Sequence, residues 1–381
     1  MLDLSNLPSG NGATDVQIFY GNSPIAGQQW QTWAKPRGKT MLDILLIGKG
    51  GNGGTGVVGA NSTAAGGGGG GTGSQTRLLI PLYLIPDILY LSLAGISATT
   101  TLASYITIQP SLAAAGGVPV ANNILAFAGG GANGGNAAGA TAGSAGAAGG
   151  IATAATMPLG WAYATALAGY AGVIGGTTGV APTWTQSATA VTGLLVTPGT
   201  GGGGLPAAAA AGTLGGPFLT NGLFPLRTAA PAAGANTFYN GENGYQPIPK
   251  LLYLYGGIGS GSTHGSAGTI FANVTGNSGS FYLAVSSTAG LLVGMGVTGT
   301  NIGASAVILN IDTNTLIITL SVANTGAVSV SATFSGGLTQ SIGGNGAYGC
   351  GGGGNGGALT GSVVAPTTGR GGPALAIFTC W

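Results

Sequence analysis

Apolar and polar positions alternate along this chain in short bursts separated by glycine, a pattern that predicts strands and turns rather than helices. Val16 to Tyr20, VQIFY, puts Val16, Ile18 and Tyr20 on one face of a short strand. Met41 to Ile47, MLDILLI, is a nearly continuous apolar run closed by glycine, the pattern of a buried strand. Leu78 to Ala94, LLIPLYLIPDILYLSLA, is the most membrane-like stretch, but Pro81, Pro86 and Asp87 interrupt it. A central Asp costs about 2.5–3.5 kcal/mol on insertion, so two strands around a turn are expected and no membrane insertion. Further strand-like runs lie at Ser104 to Gln109 and Asn123 to Phe127.

A second group of bursts, Phe281 to Val285, Ala306 to Ile311, Thr315 to Ser321 and Val328 to Phe334, predicts a small β module inserted into the chain. Asp312, Thr313 and Asn314 read as the hairpin turn between two of its strands. The chain closes on another apolar strand, Ala374 to Trp381.

Between these bursts the sequence is dominated by glycine, 81 of 381 residues. Gly50 to Gly56, Gly66 to Gly71 and Gly129 to Gly150 are the densest blocks. Each glycine inside a helix costs about 1 kcal/mol relative to alanine, so these blocks have to be held by tertiary or intersubunit contacts. No Gly-X-Y period is read in them, so a collagen triple helix is excluded, whereas closely packed extended chains of the polyproline II type remain compatible. Disorder does not fit, because disordered segments are usually poor in apolar residues and this chain is 44% hydrophobic with a mean hydropathy of +0.45.

Charge changes the picture most. Only 4% of the residues are charged, against roughly 25% in ordinary globular proteins, and none lies between Asp87 and Arg227. So apolar a surface predicts association with copies of itself or with partners. The net charge of +2 is too small for a nucleic-acid interface, and the Lys35, Arg37 and Lys39 cluster reads as a solvated loop around Pro36. Cys350 and Cys380 read as buried free thiols. No basic segment followed by an apolar one opens the chain, so Sec-type export is not expected.

The remaining motifs carry little chemistry. Gly48-Lys49-Gly50-Gly51-Asn52-Gly53 is a formal G-x-G-x-x-G after a strand, but glycine follows it where a dinucleotide fold needs a helix. No cofactor is expected. Gly38-Lys39-Thr40 lacks the first glycine of a P-loop, since Trp33 stands there. Asn61-Ser62-Thr63 and Asn273-Val274-Thr275 are formal glycosylation sequons with no secretion signal to give them meaning. His264 is the single histidine, and its nearest acidic residue in sequence is Glu242. A metal site needs several ligands, so none is expected. Six acidic residues over the whole chain leave little room for the two carboxylates of a glycosidase, and an enzyme is not the expected reading.

Trp30 and Trp33 flank polar residues and read as an aromatic anchor. The middle of the chain carries most of the other large aromatics. Of these, Trp161, Tyr163, Tyr170, Trp184, Tyr239 and Tyr245 are candidate receptor contacts, because aromatics on loops offer rigid contact area. Filling a core otherwise made of alanine and glycine is the competing role.

Trp30-Gln31-Thr32-Trp33-Ala34-Lys35-Pro36-Arg37-Gly38, the strand ending Ile47-Gly48-Lys49-Gly50-Gly51 and the run Arg77-Leu78-Leu79-Ile80-Pro81 resemble the glycine-rich virion proteins of tailed bacteriophages. Tyr348-Gly349-Cys350-Gly351, Thr368-Gly369-Arg370-Gly371-Gly372 and the terminal Phe378-Thr379-Cys380-Trp381 resemble the closing end of the same family. Ala289 to Met295 and Val297-Thr298-Gly299 are similar to a small β repeat of phage structural proteins. The resemblance covers the two ends and the insert, roughly half of the chain. It implies a tail fibre, head fibre or spike protein of the virion, often a homotrimer, with other virion proteins and a host receptor or glycan as partners.

Together these readings predict an all-β chain: a glycine-rich β-sandwich-like body with extended polyglycine segments and a small inserted β module, assembled as a trimer. The expected divisions are an anchor segment at 1-40, a glycine-rich β region at 41-150, an aromatic-containing irregular region at 151-267, the β module at 268-336 and a closing segment at 337-381. A capsid or tail building block without a receptor role is the alternative function, and a polysaccharide-degrading tailspike a lesser one.

Overall fold

Where apolar residues alternate without glycine, the chain forms strands; where glycine accumulates, it forms neither helix nor strand but still bonds every few ångströms to another part of itself. The computed structural model describes residues 14–22, 29–59, 63–96, 102–110, 118–177, 182–185, 194–205, 213–216, 218–219, 240–244, 254–260, 262, 270–289, 291, 293, 295–336, 340–359, 364–365 and 367–381.

The strands begin with β1 (Asp15–Tyr20), β2 (Gln31–Ala34), β3 (Met41–Ile47), β4 (Val58–Gly59), β5 (Gln75–Pro81) and β6 (Ile88–Ser92). β7 (Ser104–Thr107), β8 (Ile124–Ala128), β9 (Ala164–Leu167), β10 (Trp184–Thr185) and β11 (Phe218–Leu219) follow. The insert holds β12 (Ile270–Gly276), β13 (Tyr282–Val285), β14 (Met295–Thr298), β15 (Ala306–Asp312), β16 (Ile317–Leu320) and β17 (Val328–Gly336), and β18 (Ala358–Leu359) and β19 (Leu375–Cys380) close the chain.

Two antiparallel sheets, in the orders β1-β19-β3-β5-β9 and β2-β6-β7-β8, share one apolar core. Ile44, Leu46, Leu78 and Phe378 contribute from the first sheet and Trp33, Leu89, Leu91 and Ile106 from the second. This is the sandwich that the apolar bursts predict. Trp33 is not an exposed anchor: it is buried, with its ring 5.2 Å from that of Phe378. The stretch set apart as 1-40 supplies a strand to each sheet, β1 against β19 and β2 against β6.

The strands run straight into the glycine blocks, which fill the space beyond one end of the sandwich. Residues 66–74 lie in the middle of this region. The N–H groups of Gly66, Gly69 and Thr72 donate to Gly176, Val173 and Tyr170; those of Gly67, Gly70 and Gly73 donate to Asn355, Gly352 and Gly349; those of Gly68, Gly71 and Ser74 donate to Gly135, Ala132 and Gly129. Their carbonyls accept from three further segments in the same rotation, as in Gly143, Gly146 and Gly149 bonding to Gly66, Gly69 and Thr72. A direction that repeats every third residue is the three-residue turn of the polyproline II helix. Here neighbouring chains take the hydrogen bonds that water takes in an isolated one.

Glycine is required by proximity. A Cβ on any residue from Gly66 to Gly71 would lie closer than 3.0 Å to a carbonyl of another segment. Segments nearer the edge of the lattice need glycine only on the side facing inward, which gives Gly143, Gly146 and Gly149, and likewise Gly169, Gly172 and Gly175. These are short Gly-X-Y runs, so the period that the sequence reading takes to be absent is present locally. Residues 66–74 thus find backbone partners within their own chain.

Asparagine side chains extend the lattice where backbone acceptors give out. Asn133 and Asn136 accept from the N–H groups of Asn52 and Thr55, and Asn240 and Asn243 from those of Ile342 and Asn345, each pair again three residues apart.

The insert forms a closed barrel, β12-β13-β16-β15-β14-β17, with its own core around Leu283, Ile308, Ile318 and Phe334. Its strands include β12 and β14, which the apolar pattern alone does not mark. Where the chain leaves for the insert and returns, Ser260 Oγ donates to the Ser341 carbonyl at 2.9 Å.

Candidate functional site

A concave surface that combines an aromatic, several hydroxyl and amide groups and a carboxylate lies on the outside of the barrel. It is an open groove of about 1000 Å³. Strand alternation builds it: Leu283, Ile318 and Val274 point into the barrel, so Tyr282, Thr319 and Thr275 point out. Register aligns them. Tyr282 is opposite Thr319 on β16, Thr319 is opposite Asn310 on β15, and Thr275 is opposite Ser329 on β17. Gly276 packs tightly there, since a Cβ on it would press on the buried Leu283 and Asn324 side chains.

Asp312 closes one end of the groove from the β15–β16 turn. Its Oδ1 accepts from the N–H groups of Asn314 and Thr315 at 2.9 and 3.3 Å. The Thr315 hydroxyl, followed by these two amides, holds the carboxyl below the usual carboxylate range. The predicted hairpin turn is therefore present, and it also delivers an ionised acceptor to the groove.

Of the candidate aromatics, Trp161, Tyr163 and Tyr170 have described side chains, and Tyr170 lies in a different part of the fold from the other two. Trp161 and Tyr163 lie on a single 3-10 turn leading into β9 and are exposed. Tyr170 is half-buried against the cluster of Ile47, Leu194, Val196 and Leu375, and burial pushes its phenol upward. Its N–H donates to Thr72 Oγ1 at 2.7 Å, which gives it a lattice role. Trp184 lies on β10, paired with Phe218. Tyr239, Tyr245 and His264 lie outside the described residues.

Trp161 and Tyr163 belong to another feature. β5 leaves the lattice at Ser74 and β8 enters it at Gly129, where the two residues are bonded, so the turn at Tyr83–Leu84, Val120 and the Trp161 turn share the opposite pole. Tyr83 is 82% exposed there, and Leu84, Val120, Leu159, Trp161 and Tyr163 are exposed as well.

The formal G-x-G-x-x-G is a lattice segment. Gly50, Gly51 and Gly53 donate to Gly372, Gly71 and Gly369, and a Cβ on any of them would strike another backbone. Lys49 within it is buried, and desolvation lowers its pKa. Arg37 and Gly38 form the turn between β2 and β3, and Lys39 and Thr40 follow it, where the Thr40 N–H donates to the Trp381 carbonyl at 2.9 Å. Lys35 pairs with Asp87 at 3.1 Å. A smaller hollow of about 380 Å³ at the lattice margin is lined by Asn240, Asn243, Asn345 and Arg370, whose amide oxygens and N–H groups already serve lattice bonds.

Cys350 and Cys380 are buried free thiols. The Cys380 thiol is pushed up to about 12 by burial and by the Asp15 charge, with Lys39 opposing. Among the described residues no group of three or more His, Cys, Asp or Glu side chains converges on a metal position, and no helix is long and apolar enough to cross a membrane. No protein-family model matches the sequence, and no curated protein does.

Proposed function

We propose that this chain is a structural component of a bacteriophage virion, a fibre or spike protein that works by assembling and by binding a host surface. The observation that carries the reading is the glycine lattice. It uses the chain's most abundant residue to build an interior of backbone packed on backbone around residues 66–71, which suits a stiff support. The sequence resemblance to glycine-rich phage virion proteins gives that support its setting.

Two surfaces agree with the reading. The exposed apolar pole around Tyr83, Trp161 and Tyr163 has the character of a surface that another virion protein covers. The barrel presents polar, concave surface outside the lattice, where a receptor can reach it. A building block with no receptor role is favoured instead if the barrel is also enclosed. Depolymerisation draws little support, because the described lining of the groove supplies one carboxylate, Asp312, where glycosidases use a pair.

Homotrimeric assembly belongs to the proposal through the resemblance and the apolar surface, and not through the glycines. Cryo-electron microscopy of the intact particle tests all of this. Copies in threes with the barrel pointing outward are expected. A chain wholly enclosed by neighbours leaves the building block, and a purified particle without the chain overturns the virion reading.

A further inference from the structure

We propose that the groove on the barrel is a binding site for a neutral saccharide. The inference deepens the attachment reading and rests on it only for where the saccharide comes from, namely a cell surface.

Three features of the groove select this ligand class. First, it pairs one exposed aromatic with many small hydrogen-bonding groups. Tyr282 is 59% exposed and rises from β13 beside Thr319, Asn310 and Thr275. A pyranose ring has a hydrophobic face of C–H groups, which an aromatic ring covers at little entropic cost, and a rim of hydroxyls, each both donor and acceptor, which hydroxyl and amide side chains match.

Second, its charge excludes the competing ligands. Asp312 is the single charged residue from Ile270 to Gly336, so the barrel has no Lys or Arg with which to hold a phosphate, a sulfate or a sialic acid carboxylate. An ionised Asp312 repels such groups and accepts strongly from sugar hydroxyls.

Third, the groove is open, about 1000 Å³ and built on strands. A groove of this size accommodates several sugar units of a longer chain, and positions on strands hold their geometry better than positions on loops. Gly276 and Val328, paired across β12 and β17, line the groove with Tyr282.

The test uses the full chain on an array of neutral oligosaccharides (maltopentaose, cellopentaose, mannopentaose and N-acetylglucosamine oligomers) printed beside sialylated and sulfated ones. The strongest neutral hit is then titrated calorimetrically. Expected is binding to at least one neutral oligosaccharide and none to the anionic set. Tyr282→Ala and Asp312→Asn are each expected to weaken it at least about tenfold, a factor equivalent to about 1.4 kcal/mol. Asn at 312 keeps an oxygen for the turn, so the unfolding midpoint of that variant serves as the folding control.

Absence of binding to every neutral oligosaccharide, preference for the anionic set, or full affinity in both variants each overturns the proposal. These outcomes are separable from failure of the attachment reading. A particle that displays the barrel outward while the array stays blank overturns the saccharide site alone, whereas a particle lacking the chain overturns the virion reading whatever the array shows.

Discussion

Adding one methyl group in the middle of the lattice tests whether glycine is there for proximity. Gly68 donates to the Gly135 carbonyl at 3.0 Å and accepts from the Gly54 N–H at 2.7 Å, and a Cβ on it would point at the Ser144 carbonyl, closer than 3.0 Å. To relieve that contact the 143–149 segment has to withdraw by more than about 1 Å, and over such a gap the attraction between packed atoms is lost as well. Three hydrogen bonds then lengthen together: Gly143 to Gly66 at 3.0 Å, Gly146 to Gly69 at 2.9 Å and Gly149 to Thr72 at 2.8 Å. At about 1 kcal/mol net for each bond the loss is about 3 kcal/mol, offset by about 0.4–1 kcal/mol because alanine restricts the unfolded chain. Gly68→Ala is therefore expected to destabilise by about 2–3 kcal/mol.

Gly150→Ala is the control. That Cβ meets nothing within 4 Å, so this variant gains about 0.4–1 kcal/mol from the unfolded state alone. Urea unfolding of the two variants should give midpoints on opposite sides of the parent with unchanged slope. Hydrogen exchange read by mass spectrometry should show slow exchange at Gly66 to Gly71 in the parent, although no helix or strand covers them. Equal midpoints for the two variants, or fast exchange across the block, would refute the lattice argument.

Four further outcomes follow from burial and charge. Cys350 and Cys380 should resist a thiol-directed disulfide reagent in the native state from pH 7 to 9 and react once urea unfolds the chain, because both are buried and Cys380 ionises only near 12. Arg77→Ala should cost about 2–3 kcal/mol by stranding the buried Asp43 carboxylate that Arg77 contacts at 2.9 Å; Asp87→Ala at the exposed Lys35 pair should cost under about 1 kcal/mol, with chemical denaturation comparing the two. Burial lowers the pKa of Lys49, so the unfolded chain holds that proton more tightly; the parent should gain stability relative to Lys49→Met as pH rises from the lowered folded value toward the ordinary 10.5, and a gain as pH falls would contradict the burial. Replacing 263–339 by a short glycine-serine link should leave the sandwich and lattice folded, since Ser260 and Ser341 already bond across the insertion point and the barrel has a separate core; loss of cooperative unfolding would show that the body depends on the insert.

The sandwich was legible because its strands are long apolar runs between glycines. Met41 to Ile47, the pair around Pro81 to Asp87 and the closing Ala374 to Trp381 all become strands of the two sheets. Four strands of the barrel were legible for the same reason, but β12 and β14 were not, because Asn273, Gly276 and Gly296 break their apolar character. Trp33 was read as an anchor because it flanks Gln31 and Thr32; on β2 its neighbours Thr32 and Ala34 face outward, so alternation turns its own side chain to the core. The groove was harder to see, because Tyr282, Asn310 and Thr319 are far apart in sequence and meet only through strand register. Asp312 offered a signal, as the single charge in the module, and was absorbed as a turn residue.

The lattice shows what kind of information glycine carries here. In a helix or strand, side-chain identity reports which face is buried, with periods of 3.6 and 2. In a bundle of three-residue turns it is the spacing of glycine that reports how many neighbours a segment has. Six consecutive glycines, Gly66 to Gly71, mark a segment enclosed on every side, and glycine at every third position, as at Gly143, Gly146 and Gly149, marks one with a free flank that tolerates Ser144, Ala145, Ala147 and Ala148. On this logic the free flanks of the outer segments, and not the glycines, are where sequence can change without disturbing the support. A valine at Ala145, whose flank lies outside the glycine triplet, should therefore be tolerated where Gly146→Val, which would drive a side chain against the Ala132 carbonyl, is not. Comparable unfolding midpoints for those two variants would remove the link between glycine spacing and neighbour count.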